Sequence, residues 1–185
     1  MDDVQAVRLL KRGDIGGLEV LVARYQVKAV ETAFLITQDE ALAEDVVQEA
    51  FVRISQRIRR FDENRSFRPY LMRSVVNTAL NALQKEARWV HPPEDEDTGK
   101  LEELISQAAS VEDQVEFTQL KGEILSALSH LSDRQRAAIV QRYYLEMSEK
   151  EMAEALDAAP GTIKWLLNAA RTRLRGLLGS ERSAE

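Results

Sequence analysis

The sequence predicts an all-α protein of two small helical domains joined by an acidic linker. Three observations predict it. Apolar residues recur at helical spacing along almost the whole chain and nowhere alternate cleanly at period two. Patterns that start helices precede several of those stretches. The run His91-Pro92-Pro93-Glu94-Asp95-Glu96-Asp97-Thr98-Gly99 places two prolines, a glycine and four consecutive acids together, which no packed helix accommodates. With 185 residues, 44% of them apolar, each side of that run has enough chain for a core.

In chain order, Leu18, Leu21, Val22 and Tyr25 mark a helix after a break at Gly13 to Gly17. Thr37-x-x-Glu40 reads as a capping box opening the next helix, whose apolar stripe holds Val47, Phe51, Ile54 and Ile58. After a break at Asp62 to Ser66, Pro69 fits the first turn of a helix beginning near Ser66, because its missing amide donor costs nothing there. Met72, Val76, Leu80 and Leu83 form its stripe. A short helix is expected around Leu101 to Ala108, then a periodic stretch at Phe117, Leu120, Ile124, Leu128 and Leu131. Ser132-x-x-Gln135 and Ser148-x-x-Glu151 are two further capping boxes. Ser148 to Leu156 reads as a short helix, Asp157 to Gly161 as a turn, and Thr162 as the opening of a longer helix striped by Ile163, Leu167, Ala170, Leu174 and Leu177. The expected units are residues 1–90, a linker 91–110 and residues 111–185.

Charge and composition narrow the function. The net charge is −6, but it divides as +1 over residues 1–90, −8 over 91–120 and +1 over 121–185. Arg53 to Arg88 alone carries nine basic and three acidic residues, so a local basic surface is expected in an acidic protein. The absence of cysteine excludes disulfides and thiolate metal sites. No apolar run approaches bilayer length, and the acidic start Met1-Asp2-Asp3-Val4 is unlike a signal peptide, so a cytoplasmic protein without membrane insertion is expected. His91 and His130 stand apart from any ligand partner, and there is no glycine-rich phosphate loop and no nucleophile beside a base. Neither catalysis nor a cofactor is expected.

Two segments suggest nucleic-acid chemistry. Ser148 to Leu177 has the layout of a helix-turn-helix, in which Thr162, Lys164, Trp165 and Asn168 would face the major groove and Arg171, Arg173 and Arg175 the phosphates. Two packed helices joined by a Pro-Gly turn would show the same spacing. In the N-terminal unit, Phe61, Phe67, Tyr70 and Trp89 are interleaved with Arg59, Arg60, Arg65, Arg68, Arg73, Lys85 and Arg88, a mixture suited to unstacked bases and a single-strand backbone. Core anchors beside a solvated basic face are the plain alternative. Asn77 and Asn81, one turn apart, share a helix face there.

The segment Ala43-Glu44-Asp45-Val46-Val47-Gln48-Glu49-Ala50-Phe51-Val52-Arg53-Ile54, with Phe61-Asp62 and Ser66 through Asn81, resembles region 2 of the extracytoplasmic-function sigma factors of bacterial RNA polymerase. Leu131 to Tyr143 and Gly161 to Leu174 resemble region 4 of the same family, in the same order and separation. The resemblance implies core RNA polymerase and promoter DNA as partners, with a small anti-sigma protein as inhibitor. It makes Asp45, Gln48, Glu49 and Arg53 the candidates for docking on the polymerase clamp helices. Phe61, Arg65, Tyr70, Arg73, Asn77, Asn81, Lys85 and Arg88 become candidates for capturing the minus-ten strand, and Thr162, Lys164, Trp165, Asn168, Arg171 and Arg173 for reading the minus-thirty-five element. The chain departs from the family pattern at Gln84, at Asp157 where the turn usually has glycine, and at Trp165, Leu166, Asn168 and Ala169. Glu94 to Asp97 would mimic a nucleic-acid strand inside the polymerase or serve as a solvated spacer. Two other classes stay open on the residues alone: a stand-alone helix-turn-helix regulator, and a sigma-like interaction protein using exposed Trp165 and Leu166 against a protein partner.

Overall fold

A computed structural model describes residues 1–87 and 122–181; the linker, Trp89, Arg88, His91, the short helix expected around Leu101 to Ala108, and Phe117 and Leu120 lie outside them. Among the described residues every regular element is helical. Helices α1 (Asp3–Lys11), α2 (Gly16–Thr37), α3 (Glu40–Arg57) and α4 (Phe67–Glu86) build the N-terminal unit, with a 3-10 turn at Ile58–Arg60. The C-terminal unit holds α5 (122–129), α6 (Asp133–Ile139), a π-helical turn at Val140–Tyr144, α7 (Glu149–Ala155) and α8 (Pro160–Glu181).

The N-terminal unit is organised around α2, which packs against α1, α3 and α4. It buries Leu21, Ala29, Ala33, Phe34 and Ile36, so both its start and its last turns lie inside. Close approach at its start depends on Gly17, where a Cβ would stand 2.3 Å from the Ala6 carbonyl oxygen and 2.7 Å from the Leu10 amide nitrogen. The break before α2 is therefore shorter than the glycines suggest: Gly13 turns the chain at φ +89°, while Gly16 and Gly17 already belong to the helix.

Capping is read correctly at two sites and wrongly at one. Ser132 and Ser148 each accept from the N3 amide while Gln135 and Glu151 reach back to the cap amide. Thr37 opens nothing. It is the last residue of α2, and its hydroxyl donates to the Asp39 carbonyl at 3.0 Å. Asp39 caps α3 instead, accepting from Leu42 N–H at 2.8 Å, after Gln38 has closed α2 in the left-handed conformation at φ +62°. A single aspartate at the true boundary outcompetes a pattern placed two residues too early.

The long C-terminal helix begins at Pro160 rather than Thr162, with proline in the first-turn position its ring prefers. Asp157 makes the preceding turn at φ +47°, a left-handed geometry aspartate tolerates at modest strain. Leu166 is buried with Ile163, Leu167 and Ala170 on the face of α8 turned to the core, which corrects the expectation that it is exposed; Trp165 alone of that pair is at the surface.

The two units touch. Their buried apolar residues form one continuous cluster, with α6 set against α2 and α4. Arg136 of α6 is buried and donates from Nε to the Ile36 carbonyl at 2.5 Å, from Nη1 to the Leu128 and Leu131 carbonyls, and from Nη2 to Asp133 at 2.9 Å. Burial pulls its pKa down and the Asp133 carboxylate pushes it back. Tyr144 donates to Glu31, and the Lys28 ammonium stands 3.3 Å above the Tyr144 ring.

Candidate nucleic-acid interface

Phe67, the first residue of α4, anchors an aromatic group at the start of that helix. It is fully buried, with Tyr25 at 5.9 Å, Phe61 edge-on at 6.0 Å and Tyr70 at 6.3 Å between ring centres. Phe61 is also buried and lies tilted against Tyr70 at 4.7 Å. Burying one such ring is worth about 1.5–3 kcal/mol, so Phe67 and most of Phe61 belong to the core, while half-buried Tyr70 keeps a face available. The loop between Phe61 and α4 is tied down by Glu63, which accepts from Arg8 at 2.8 Å and Lys11 at 3.0 Å; those two bonds hold its carboxyl below the usual range.

A cleft of about 720 Å³ opens beside this group, with Arg57, Arg60, Arg65 and Arg73 around Phe61 and Tyr70. Arg65 is exposed and stands 4.0 Å from Asp62. From Tyr70 the same face of α4 continues through exposed Arg73, half-buried Asn77 and exposed Asn81 to Lys85, a path set by steps of three and four residues. The structure thus brings Phe61, Arg65, Tyr70 and Arg73 to one cleft and extends it along α4; Arg88 lies outside the described residues. Arg57 and Arg60 are lining residues that the sequence reading passed over, although their place in the basic run between Arg53 and Arg73 is the signal that finds them.

The candidate docking residues lie on α3. Asp45 and Gln48 are exposed, and Glu49 and Arg53 are half-buried and paired one turn apart at 2.5 Å. Exposed Val52 adds an apolar spot on this helix. The opposite stripe, Val46, Val47, Ala50, Phe51 and Ile54, is core.

In the C-terminal unit, α7 and α8 pack as a helix-turn-helix. Thr162, Lys164, Trp165 and Asn168 are all exposed on the first turns of α8, and Arg173 is exposed further on. Arg171 is engaged with its own unit, donating to the Tyr143 hydroxyl at 2.8 Å. Among the described residues no His, Cys, Asp and Glu group could hold a metal ion, and no helix is long and apolar enough to cross a membrane.

Two small helical units, one with a basic cleft beside aromatic rings and one with a helix-turn-helix whose second helix is exposed, carry the features of a DNA-binding protein. The family model described as Sigma-70 region 2 matches residues 21–89, and that of Sigma-70 region 4 matches 121–174. The chain is 27% identical to the ECF RNA polymerase sigma factor SigW of Bacillus subtilis, covering 91% of this chain and 92% of that protein. It is 29% identical to the RNA polymerase sigma-E factor of Streptomyces avermitilis, over 92% and 90%. Its fold matches CnrH, solved with the cytosolic domain of CnrY, at a TM-score of 0.64 and 24% identity over 96% of this chain and 97% of that one. It also matches RpoE of Bartonella quintana, solved with the anti-sigma factor NepR, at 0.66 and 22% over 87% and 96%. The chain belongs to the extracytoplasmic-function sigma factors of RNA polymerase. It is a transcription initiation factor and not an enzyme, and the comparisons lend nothing to a stand-alone regulator.

Proposed function

We propose a division of labour among named residues for promoter recognition by this sigma factor. Asp45, Gln48, Glu49 and Arg53 dock α3 on core polymerase. Arg65 and Arg73 hold the backbone of the opened minus-ten strand while Tyr70 stacks a base, Phe61 backs Tyr70, and Asn77, Asn81 and Lys85 carry the strand along α4, with Arg88 beyond. Thr162, Lys164, Trp165 and Asn168 read the minus-thirty-five element, and Arg173 meets phosphate with Arg171. Residues 1–90 and 111–185 act as the two modules, and 91–110 as the tether. The observation that carries this reading is the cleft in which four arginines surround a half-buried tyrosine at the start of a helix bearing two amides on the same face.

The protein works in the cytoplasm, where core polymerase is, and is held in check by an anti-sigma protein, as CnrH and RpoE are seen with CnrY and NepR in their solved complexes. The experiment is transcription from a library of promoter fragments by core polymerase with and without the purified chain. Start sites that share a two-part upstream motif and require the chain support the reading. Co-purification with polymerase without any new start site refutes it.

A further inference from the structure

Two side chains from separate elements meet at the surface of the C-terminal unit with hydrogens to spare. Tyr143 belongs to the π-helical turn that follows α6, where the Leu145 amide donates to the Val140 carbonyl at 3.0 Å across a step of five residues. That turn is fixed: Arg142 donates to the Met147 carbonyl at 2.9 Å, and the Met147 amide donates to the Gln141 carbonyl at 2.9 Å. From it Tyr143, 58% exposed, reaches α8 and accepts on its hydroxyl oxygen from Arg171 Nε at 2.8 Å. The guanidinium carbon stands 5.7 Å from the ring centre. This bond uses one of the five guanidinium hydrogens. Among the described residues, the terminal nitrogens of Arg171 and the hydroxyl hydrogen of Tyr143 have no partner, and no acid pairs with Arg171.

We propose that Tyr143 and Arg171 form a clamp for one backbone phosphate of the upstream duplex, in which Tyr143 fixes the Arg171 fork and adds a donor of its own. Placement along α8 supports it. Lys164, Asn168, Arg171 and Arg175 follow at steps of four, three and four residues, so they lie along one helix face. Arg171 is nine residues beyond Thr162, about 14 Å along the helix axis, whereas the major groove is about 8.5 Å deep. A helix that enters the groove by its first turns therefore brings Arg171 to the rim, where the phosphates run, with Tyr143 beside it. An arginine held through Nε offers its two terminal nitrogens as paired donors, a fork that matches phosphate oxygens. Holding that fork before binding lowers the side-chain entropy lost when the phosphate arrives. The donors meet an anionic oxygen group and no base edge, so the clamp supplies affinity and register without sequence preference. This inference rests on reading α8 as the minus-thirty-five reader.

The test uses holoenzyme assembled from core polymerase and the full chain, with a promoter duplex recovered from the fragment library. Copies of that duplex each carry one neutral methylphosphonate in place of a phosphate around the upstream element. The parent is expected to lose about tenfold in affinity when one particular phosphate is neutralised. Tyr143→Phe keeps the ring beside Arg171 and removes only the hydroxyl. It is expected to bind the unmodified duplex about tenfold more weakly, to lose the sensitivity at that same phosphate, and to melt at the parent's temperature. Arg171→Lys keeps the charge but not the fork, and should lose sensitivity at the same position. Parent-like affinity in Tyr143→Phe overturns the clamp. So does a weaker binder that stays as sensitive as the parent at every phosphate, whether or not its melting temperature falls, because Tyr143 is then a packing residue. Scrambling the upstream bases separates the two readings. If the parent holoenzyme rejects the scrambled duplex while Tyr143→Phe behaves as the parent does, the reader stands and the clamp fails; if the parent does not discriminate, the reader fails and the clamp with it.

Discussion

Arg136 in α6 donates its Nε hydrogen to the carbonyl of Ile36, in the last turn of α2, at 2.5 Å across the junction of the two units. The same guanidinium serves the Leu128 and Leu131 carbonyls inside its own unit. One side chain therefore closes the end of α5, the start of α6 and the C-terminus of α2. Removing it takes a donor from three carbonyls, of which Leu128 keeps the Leu131 amide, so Arg136→Ala is expected to lower stability by about 3 kcal/mol, read as a fall in the urea midpoint.

Packing of α1 on α2 makes Gly17 the least replaceable glycine described. Gly17→Ala must push the Ala6 carbonyl away and is expected to cost about 1–3 kcal/mol. Gly176 sits in α8 with nothing near its missing Cβ, and Gly176→Ala is expected to gain about 0.8 kcal/mol through helix propensity. Thermal unfolding of the two variants should move in opposite directions.

At the proposed minus-ten surface, Tyr70→Ala, Asn77→Ala and Asn81→Ala should each impair promoter opening while leaving core polymerase binding unchanged. Loss of one stacked base costs about 1–3 kcal/mol, so Tyr70→Ala is expected to reduce open complexes by about tenfold, measured by permanganate reactivity of unpaired thymines. Normal opening in all three would remove α4 from the site.

Trp165 is 65% exposed and adds nothing to the core, so Trp165→Ala is expected to leave stability within about 0.5 kcal/mol. Its effect should fall on the minus-thirty-five element: promoters depending on that element lose output, and those with the element scrambled show no further loss. A large drop in melting temperature would instead make Trp165 a packing residue.

Stability should fall at both ends of the pH range. Tyr25 is pushed up to about 12, first by burial and then by its hydrogen bond to Asp3. Its contribution is whole below pH 10; as pH rises from 10 to 12 the unfolded chain ionises while the folded one keeps its proton, and stability is lost. Tyr25→Phe should flatten that alkaline loss. Glu63 and Glu151 are lowered by their hydrogen bonds, so their contributions are present above the ordinary glutamate range and vanish as pH falls through the folded values. Glu63→Gln should remove part of the acid loss, measured by denaturant titration at stepped pH.

Local pattern and tertiary context divide the molecule unevenly. Ser132 and Ser148 declare their helices because a capping box is closed by residues three apart. Thr37 misleads because the same spacing occurs by chance at the end of a buried helix, where Gln38 and Asp39 make the boundary. At the candidate site, the basic run and its aromatics are legible as composition, and Asn77 and Asn81 as helix periodicity. Which aromatics are core is not, since Phe61, Phe67 and Tyr70 look alike in sequence and differ only in what packs on them. Leu166 beside Trp165 shows the same limit, because a one-residue step of about 100° takes a side chain from surface to core.

By itself the sequence determined the helical class and the local run of basic residues, which follow from spacing and order along the chain, and its motifs carried the resemblance to the family. The tertiary structure alone decided that Arg136 reaches Ile36, that Tyr144 meets Glu31 and that Glu151 and Glu154 stand across a cleft from the arginines. Those pairs are separated by about a hundred residues, and such contacts depend on how two folded surfaces fit, which local periodicity does not encode.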